Sequence, residues 1–211
     1  MSQGAKNRRL TSSAVENQGV ANDRLYREGE VVTYSDLPKV TFAYLCDHMH
    51  LASELARLHF AEWGELLPNW SEADALAELQ THGSRSAIPT TLLALDSAQL
   101  ACLEHTATAT SALIGSVSLL QNDDDRIRDY TPWLASLVVV PAHRGSGHGI
   151  ALIQRCVQEA RSLGVGRLYL YTAGQQPLYA RLGWRFVDSV PLGSARVDVM
   201  AIDTGAAAAT R

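Results

Sequence analysis

The stretch from Leu134 to Gly164 constrains this chain more than any other. Leu137 to Val140 is an unbroken apolar, largely β-branched run, the pattern of a strand covered on both faces. Pro141 ends it, because proline supplies no ladder donor. Ile150, Ile153, Cys156, Val157, Ala160 and Leu163 then recur at helical spacing, and Gly164 stands where a helix-terminating glycine belongs. Between strand and helix lie Arg144 and three alternate glycines, Gly145, Gly147 and Gly149. Glycines leave backbone N–H groups free to converge on an anion. The helix that follows points its positive end at the same spot. With the fixed charge of Arg144 added, the stretch reads as a cradle for a pyrophosphate.

Other phosphate and nucleophile motifs do not fit. In the dinucleotide fingerprint G-x-G-x-x-G the third glycine comes one residue later, and an acid follows about 20 positions on. Here Val165 to Tyr171 holds no acid. A P-loop needs a lysine after its glycines, and no lysine follows Lys39. A nucleophile elbow needs glycine two residues before its serine, whereas Arg144 precedes Ser146.

The pattern Val-x-Pro-x-x-Arg-Gly-x-Gly-x-Gly at Val139 to Gly149 resembles the acetyl-CoA-binding motif of the GNAT family of N-acetyltransferases. A later stretch supports the resemblance. Leu168 to Thr172 reads as a strand, and Pro177 to Phe186 matches that family's short helix ending in Tyr-x-x-x-Gly-[Phe/Trp/Tyr]. The two motifs come in the family's order and at about its spacing. The resemblance is strong over Leu134 to Val187, extends back to about Thr41, and is absent over the first 36 or so residues.

The rest of the chain suits one domain with tails. The 211 residues are 46% hydrophobic and 19% charged, an ordinary folded composition. A net charge of −4 gives no basic excess for nucleic acid. Residues 1–36 form a polar extension without the apolar core of a secretory signal. No 18-residue apolar span exists, so no membrane helix is expected. Cys46, Cys102 and Cys156 are odd in number and far apart, which favours free thiols in a reducing, cytoplasmic compartment. His48-Met49-His50 has metal-site spacing but no third ligand, so no metal is expected. The domain spans 37–203, and 204–211 reads as a frayed tail.

Alternation predicts a strand over Val40 to Cys46, and Leu51, Leu55 and Leu58 predict a helix from His50 to Trp63. Ser71 and Asp74 form a capping-box pattern that opens a second helix through Leu76 and Leu79, ended by His82-Gly83. Short strands are expected at Thr90 to Leu95 and Gln99 to His105, turning at Asp96-Ser97, and another at Ala112 to Leu120. Asn122 to Arg126 reads as a solvated loop, Thr131 to Val140 as the strand entering the cradle, and Ala195 to Ile202 as the closing strand. This order gives a mixed α/β sheet with helices on both faces. The strands around Leu137 and Leu170 are joined by a helix and so should be parallel. The resemblance implies a GNAT-type acyl-CoA N-acyltransferase fold, mostly antiparallel, in which those two central strands splay to admit the pantetheine arm.

The resemblance also implies roles. Acetyl-CoA would lie along Leu137, Val138, Val139 and Val140, with its phosphates on Arg144, Gly145, Ser146, Gly147, His148 and Gly149. A backbone N–H near Val138 or Val139 would hold the thioester oxygen. Tyr179 takes the place of the family's proton donor to the departing thiolate, with Tyr171 as a weaker rival. Gln175 or Thr172 stands in for a cofactor-binding asparagine that this chain lacks. His143 and His148 would face solvent or phosphate. The acceptor pocket would draw on Glu62, Trp63, Trp70, Asp129, Tyr130 and Trp133, with Glu62, Asp129 and Tyr130 as candidate bases. The expected function is acetyl transfer to a primary amine on a small molecule or peptide, with homodimerisation left open. A noncatalytic acyl-CoA sensor and a nucleotide-binding regulatory module are the alternatives.

Overall fold

The computed structural model describes residues 40–67, 69–103, 112–192 and 195–206. The polar extension and the last five residues lie outside these. Seven strands form one sheet: β1 (Val40–Tyr44), β2 (Thr90–Asp96), β3 (Leu113–Leu120), β4 (Trp133–Val139), β5 (Arg167–Thr172), β6 (Arg185–Leu192) and β7 (Ala195–Asp203). Their order is β1-β2-β3-β4-β5-β7-β6. Every neighbouring pair is antiparallel except β4 and β5. The helices are α1 (Ala52–Trp63), α2 (Glu72–Leu79), α3 (Ser97–Leu103), α4 (His148–Ser162) and α5 (Gln176–Arg181).

Two faces of the sheet carry different covers. Leu152, Ile153, Cys156 and Ala160 of α4 pack with Leu134, Leu137 and Val139 of β4, Leu168 and Leu170 of β5, and Tyr179 of α5. On the other face, Leu55 and Ala56 of α1 and Ala75 and Leu79 of α2 cover Leu93, Leu95, Leu113 and Val138. Beyond them Trp133 and Ala135 join Leu192, Val197 and Val199 in a third cluster. Gly115 lets β3, β4 and α4 approach closely, since a Cβ there would lie 2.4 Å from the Val138 carbonyl oxygen and 3.2 Å from Leu152.

Local signals explain the helix ends. Ser71 and Asp74 form the predicted capping box, each side chain accepting the other residue's backbone N–H. Gly164, at φ +78°, closes α4: Val165 N–H donates to Ala160 O and Gly164 N–H to Arg161 O.

Three expectations are corrected. The strand expected over Gln99 to His105 is replaced by α3 as far as Leu103; residues 104 and 105 lie outside the described part. Asp96 is the reason. Its carboxylate accepts the N–H groups of Ala98 and Gln99, so Asp96-Ser97 caps a helix rather than turning a hairpin. Second, β6 was not foreseen. It is an edge strand with mostly exposed or half-buried side chains, and Phe186 is 51% exposed, so its pattern is weak. Third, Asn122 to Arg126 is not wholly solvated, because Asp124 is buried and accepts from the Arg126 backbone and guanidinium.

Candidate active site

The strands β4 and β5 meet at a single paired position, Trp133 with Tyr169, supported by Tyr169 N–H donating to Pro132 O at 3.0 Å. Past that point they are not paired. A bulge at β4 marks the divergence: Ser136 has φ +50°, and the register with β3 shifts between Ser116 and Ser118. Val140 N–H donates to Ile114 O on β3. Strand alternation therefore turns the Val139 N–H and C=O to the opposite edge, into the gap beside β5. Thr172, at the end of β5, is fully buried, and its hydroxyl has no hydrogen-bond partner among the described residues.

The glycine turn follows β4 directly. Gly145 and Gly147 have φ +76° and +82°, a region that side-chain-bearing residues rarely occupy. Gly147 is the N-cap of α4, and no side chain caps the helix. Its first helical bond is Ala151 N–H to Gly147 O at 3.0 Å, so the amides of the first turn have no helical partner. The space beyond is open: a Cβ at Gly145 would meet nothing within 4 Å, and one at Gly149 only Val139 at 3.7 Å. His148 stacks edge-on against His143 at 6.1 Å. Burial, and then the nearby His143 charge, push its pKa below the ordinary histidine value. Its buried Nδ1 has no partner among the described residues.

At the matching end of β5, Gly174 (φ +84°) turns the chain into α5, whose first turn holds Pro177. Tyr179 is 2% exposed and packs edge-on against Trp184 at 6.1 Å. Gly183 (φ +89°) lets the chain double back so that Trp184 N–H reaches Tyr179 O at 3.1 Å. Burial alone pushes the Tyr179 phenol up, so it stays protonated at neutral pH. Tyr171 belongs elsewhere, 5.8 Å from Trp133 on the opposite sheet face.

The six acceptor-side residues do not form one group. Tyr130 and Trp133 lie together, 6.2 Å apart, and the Tyr130 hydroxyl donates to Asp188 at 2.8 Å. Trp133 is fully buried, so it lies beneath a surface rather than on one. Trp63 packs on His59, Trp70 packs on Phe60, and Asp129 is exposed. Glu62 instead pairs with Arg144, whose guanidinium also donates to Val139 O. The sequence reading missed His59, which is buried on α1 and within 3.3 Å of the Ser116 hydroxyl. Its spacing, four residues from both Leu55 and Trp63, was the available signal. Among the described residues no cluster of three or more metal-ligating side chains occurs, and no helix is long and apolar enough to cross a membrane.

No curated protein sequence matches this chain. Solved structures do. An aminoglycoside 6′-N-acetyltransferase complexed with coenzyme A is 16% identical, with TM-score 0.58 over 78% of this chain and 97% of its own. A variant of a spermidine N-acetyltransferase from Vibrio cholerae is 18% identical, with TM-score 0.56 over 79% and 94%. A structure from Salmonella typhimurium with acetyl-CoA as its cofactor is 18% identical, with TM-score 0.54 over 82% and 96%. At these identities the likeness is one of fold. The sequence model of the GNAT acetyltransferase family matches residues 56–184, which is more than half of the chain, so this protein belongs to the GNAT family and is an acyltransferase.

Proposed function

We propose that the protein transfers the acetyl group of acetyl-CoA to a primary amine by direct attack in a ternary complex. One observation carries the reading. An uncapped helix N-terminus behind Gly147 and a buried, neutral phenol at Tyr179 follow the C-terminal ends of the two strands that splay. Ligands of open sheets gather where parallel strands end. The similar structures include proteins named for acetylating spermidine and an aminoglycoside, which supports an amine acceptor. The free thiols Cys46 and Cys156 suit a reducing, cytoplasmic setting.

The residues present fit acetyl-CoA. The open turn from Gly145 through Ser146, Gly147, His148 and Gly149 offers backbone N–H groups and the α4 dipole to a pyrophosphate. The edge from Leu137 to Val140 would lie along the pantetheine arm, and the unpartnered Thr172 hydroxyl, with Gln175 at the start of α5, supplies polar contacts beside it. Bound acetyl-CoA supplies the activated thioester. The Val139 N–H, facing the gap, would donate a hydrogen bond to the acyl oxygen and stabilise the negative charge that develops there. As the amine nitrogen forms its bond to the acyl carbon, the carbon–sulfur bond breaks, and Tyr179 passes its proton to the departing sulfur. Solvent takes the amine's surplus proton and restores that of Tyr179. Of the acceptor-side residues, Glu62 lies nearest this edge through its pair with Arg144, while Trp63 and Trp70 on one side and Tyr130, Trp133 and Asp129 on the other would border separate approaches.

Thiol release from acetyl-CoA, followed with a panel of primary amines, tests this reading. We expect at least one amine to raise release well above hydrolysis, with an N-acetylated product of matching mass. Tight acetyl-CoA binding with no release for any amine would favour the sensor alternative.

A further inference from the structure

The Arg144 side chain does not extend over the open turn. Its Nε donates to Val139 O at 2.9 Å, and its Nη2 to Glu62 Oε2 at 2.7 Å. The Glu62 side chain is 8% exposed, against 30% for Arg144, so this is a largely buried pair. A buried ion pair persists only where both partners are held in good geometry, and removing one strands the other. Arginine suits the position because its planar fork can serve two acceptors at once and it never loses its charge.

The location of the two acceptors gives the pair its meaning. Val139 O sits on the β4 edge that faces the gap. In a closed parallel sheet that carbonyl would accept from a backbone N–H of β5. Here a guanidinium occupies it, so the edge is satisfied without strand pairing and the gap remains open. The same residue's N–H, in a plane shared with the preceding carbonyl, faces the same gap. Glu62 belongs to the last turn of α1, the helix on the acceptor-side face of the sheet. One guanidinium thus joins the phosphate turn, the acyl-facing strand edge and α1.

We propose that Arg144 is a positioning residue, a strut that caps Val139 O and so holds the Val139 backbone with its N–H, in the adjoining peptide plane, toward the thioester, with Glu62 anchoring it, rather than a ligand of the cofactor's phosphates. This rests on the acetyl-CoA reading. It makes the arginine of the motif a reader of acyl-edge geometry, and leaves phosphate binding to backbone N–H groups. Glu62 Oε1, buried and without a partner among the described residues, is then held at the rim of the gap by the same pair.

Calorimetric titration with three probes separates the two roles: the nucleotide half of CoA (3′-phospho-ADP), CoA, and acetyl-CoA. Two mild variants are compared with the unaltered protein. Arg144→Lys keeps the charge but not the fork, and Glu62→Gln weakens the pair without touching the turn. We expect both to bind 3′-phospho-ADP within about twofold of the unaltered protein, while the affinity for acetyl-CoA relative to CoA falls about tenfold, the scale of one well-placed hydrogen bond. A matching loss for all three probes in the Arg144 variant would identify a phosphate ligand and overturn the proposal. Unchanged binding of all three in both variants would also overturn it. Failure of the unaltered protein to bind acetyl-CoA would remove the functional reading itself, and this proposal with it.

Discussion

Gly147→Glu abolishes acetyl-CoA binding while leaving the protein folded. Gly147 is the N-cap of α4 at φ +82°, so any side chain there adopts a left-handed backbone that costs roughly 1–2 kcal/mol. That strain falls on a turn at the edge of the fold, and thermal unfolding should register it as a modest shift. The larger effect is electrostatic. A glutamate carboxylate at this position would occupy the positive end of the helix itself and, on the proposed reading, repel the diphosphate of acetyl-CoA. Loss of the uncapped amides together with charge repulsion should weaken binding on the order of 100-fold or more, equivalent to at least ~2.7 kcal/mol. Gly147→Ala isolates the strain and should weaken binding less than about tenfold. Full-strength acetyl-CoA binding by the glutamate variant would remove the turn from the site.

Tyr179→Phe should separate binding from chemistry. Burial pushes the Tyr179 phenol up, and its hydroxyl makes no hydrogen bond to the described residues, so deleting its oxygen strands none of their polar groups. Folding and acetyl-CoA affinity should stay within about two- to threefold of the unaltered protein. Turnover of whichever amine the panel identifies should fall roughly 100-fold, the lower end of the range for losing a positioned acid. Rate measurements over a range of acetyl-CoA concentrations at saturating amine would show this as a drop in kcat with little change in KM for acetyl-CoA. Unaltered kcat would exclude Tyr179 as the proton donor and favour solvent in that role.

The parts of this architecture that were legible in the sequence are local. The strand, glycine turn and helix from Leu134 to Gly164 lie within one short span, and each boundary has its own chemistry in Pro141, Gly147 and Gly164. The Ser71–Asp74 capping box is equally self-contained. What escaped depends on contacts distant in sequence. The burial of Glu159 among apolar residues of α4 reflects Tyr44, 115 residues earlier, whose hydroxyl donates to its carboxylate at 2.9 Å beside the local Arg155 pair. The destination of the Arg144 side chain depends on Glu62, 82 residues earlier. The strand β6 is an exposed edge whose apolar alternation is too weak to register. The bulge at Ser136 left no sign, because serine carries no preference for φ +50°. That bulge, with the lone Trp133–Tyr169 pairing, gives the gap its form. The helix joining them implied that the two strands are parallel, and only the family resemblance implied that they part.

The central claim is that the gap between β4 and β5, with the glycine turn at its end, is an acetyl-CoA site. Calorimetric titration of the full chain with acetyl-CoA, alongside NAD and ATP, tests it most directly. The account predicts one site, with affinity on the order of micromolar for acetyl-CoA and no measurable heat for NAD or ATP. Absence of acetyl-CoA binding, or equal binding of the three ligands, would contradict it.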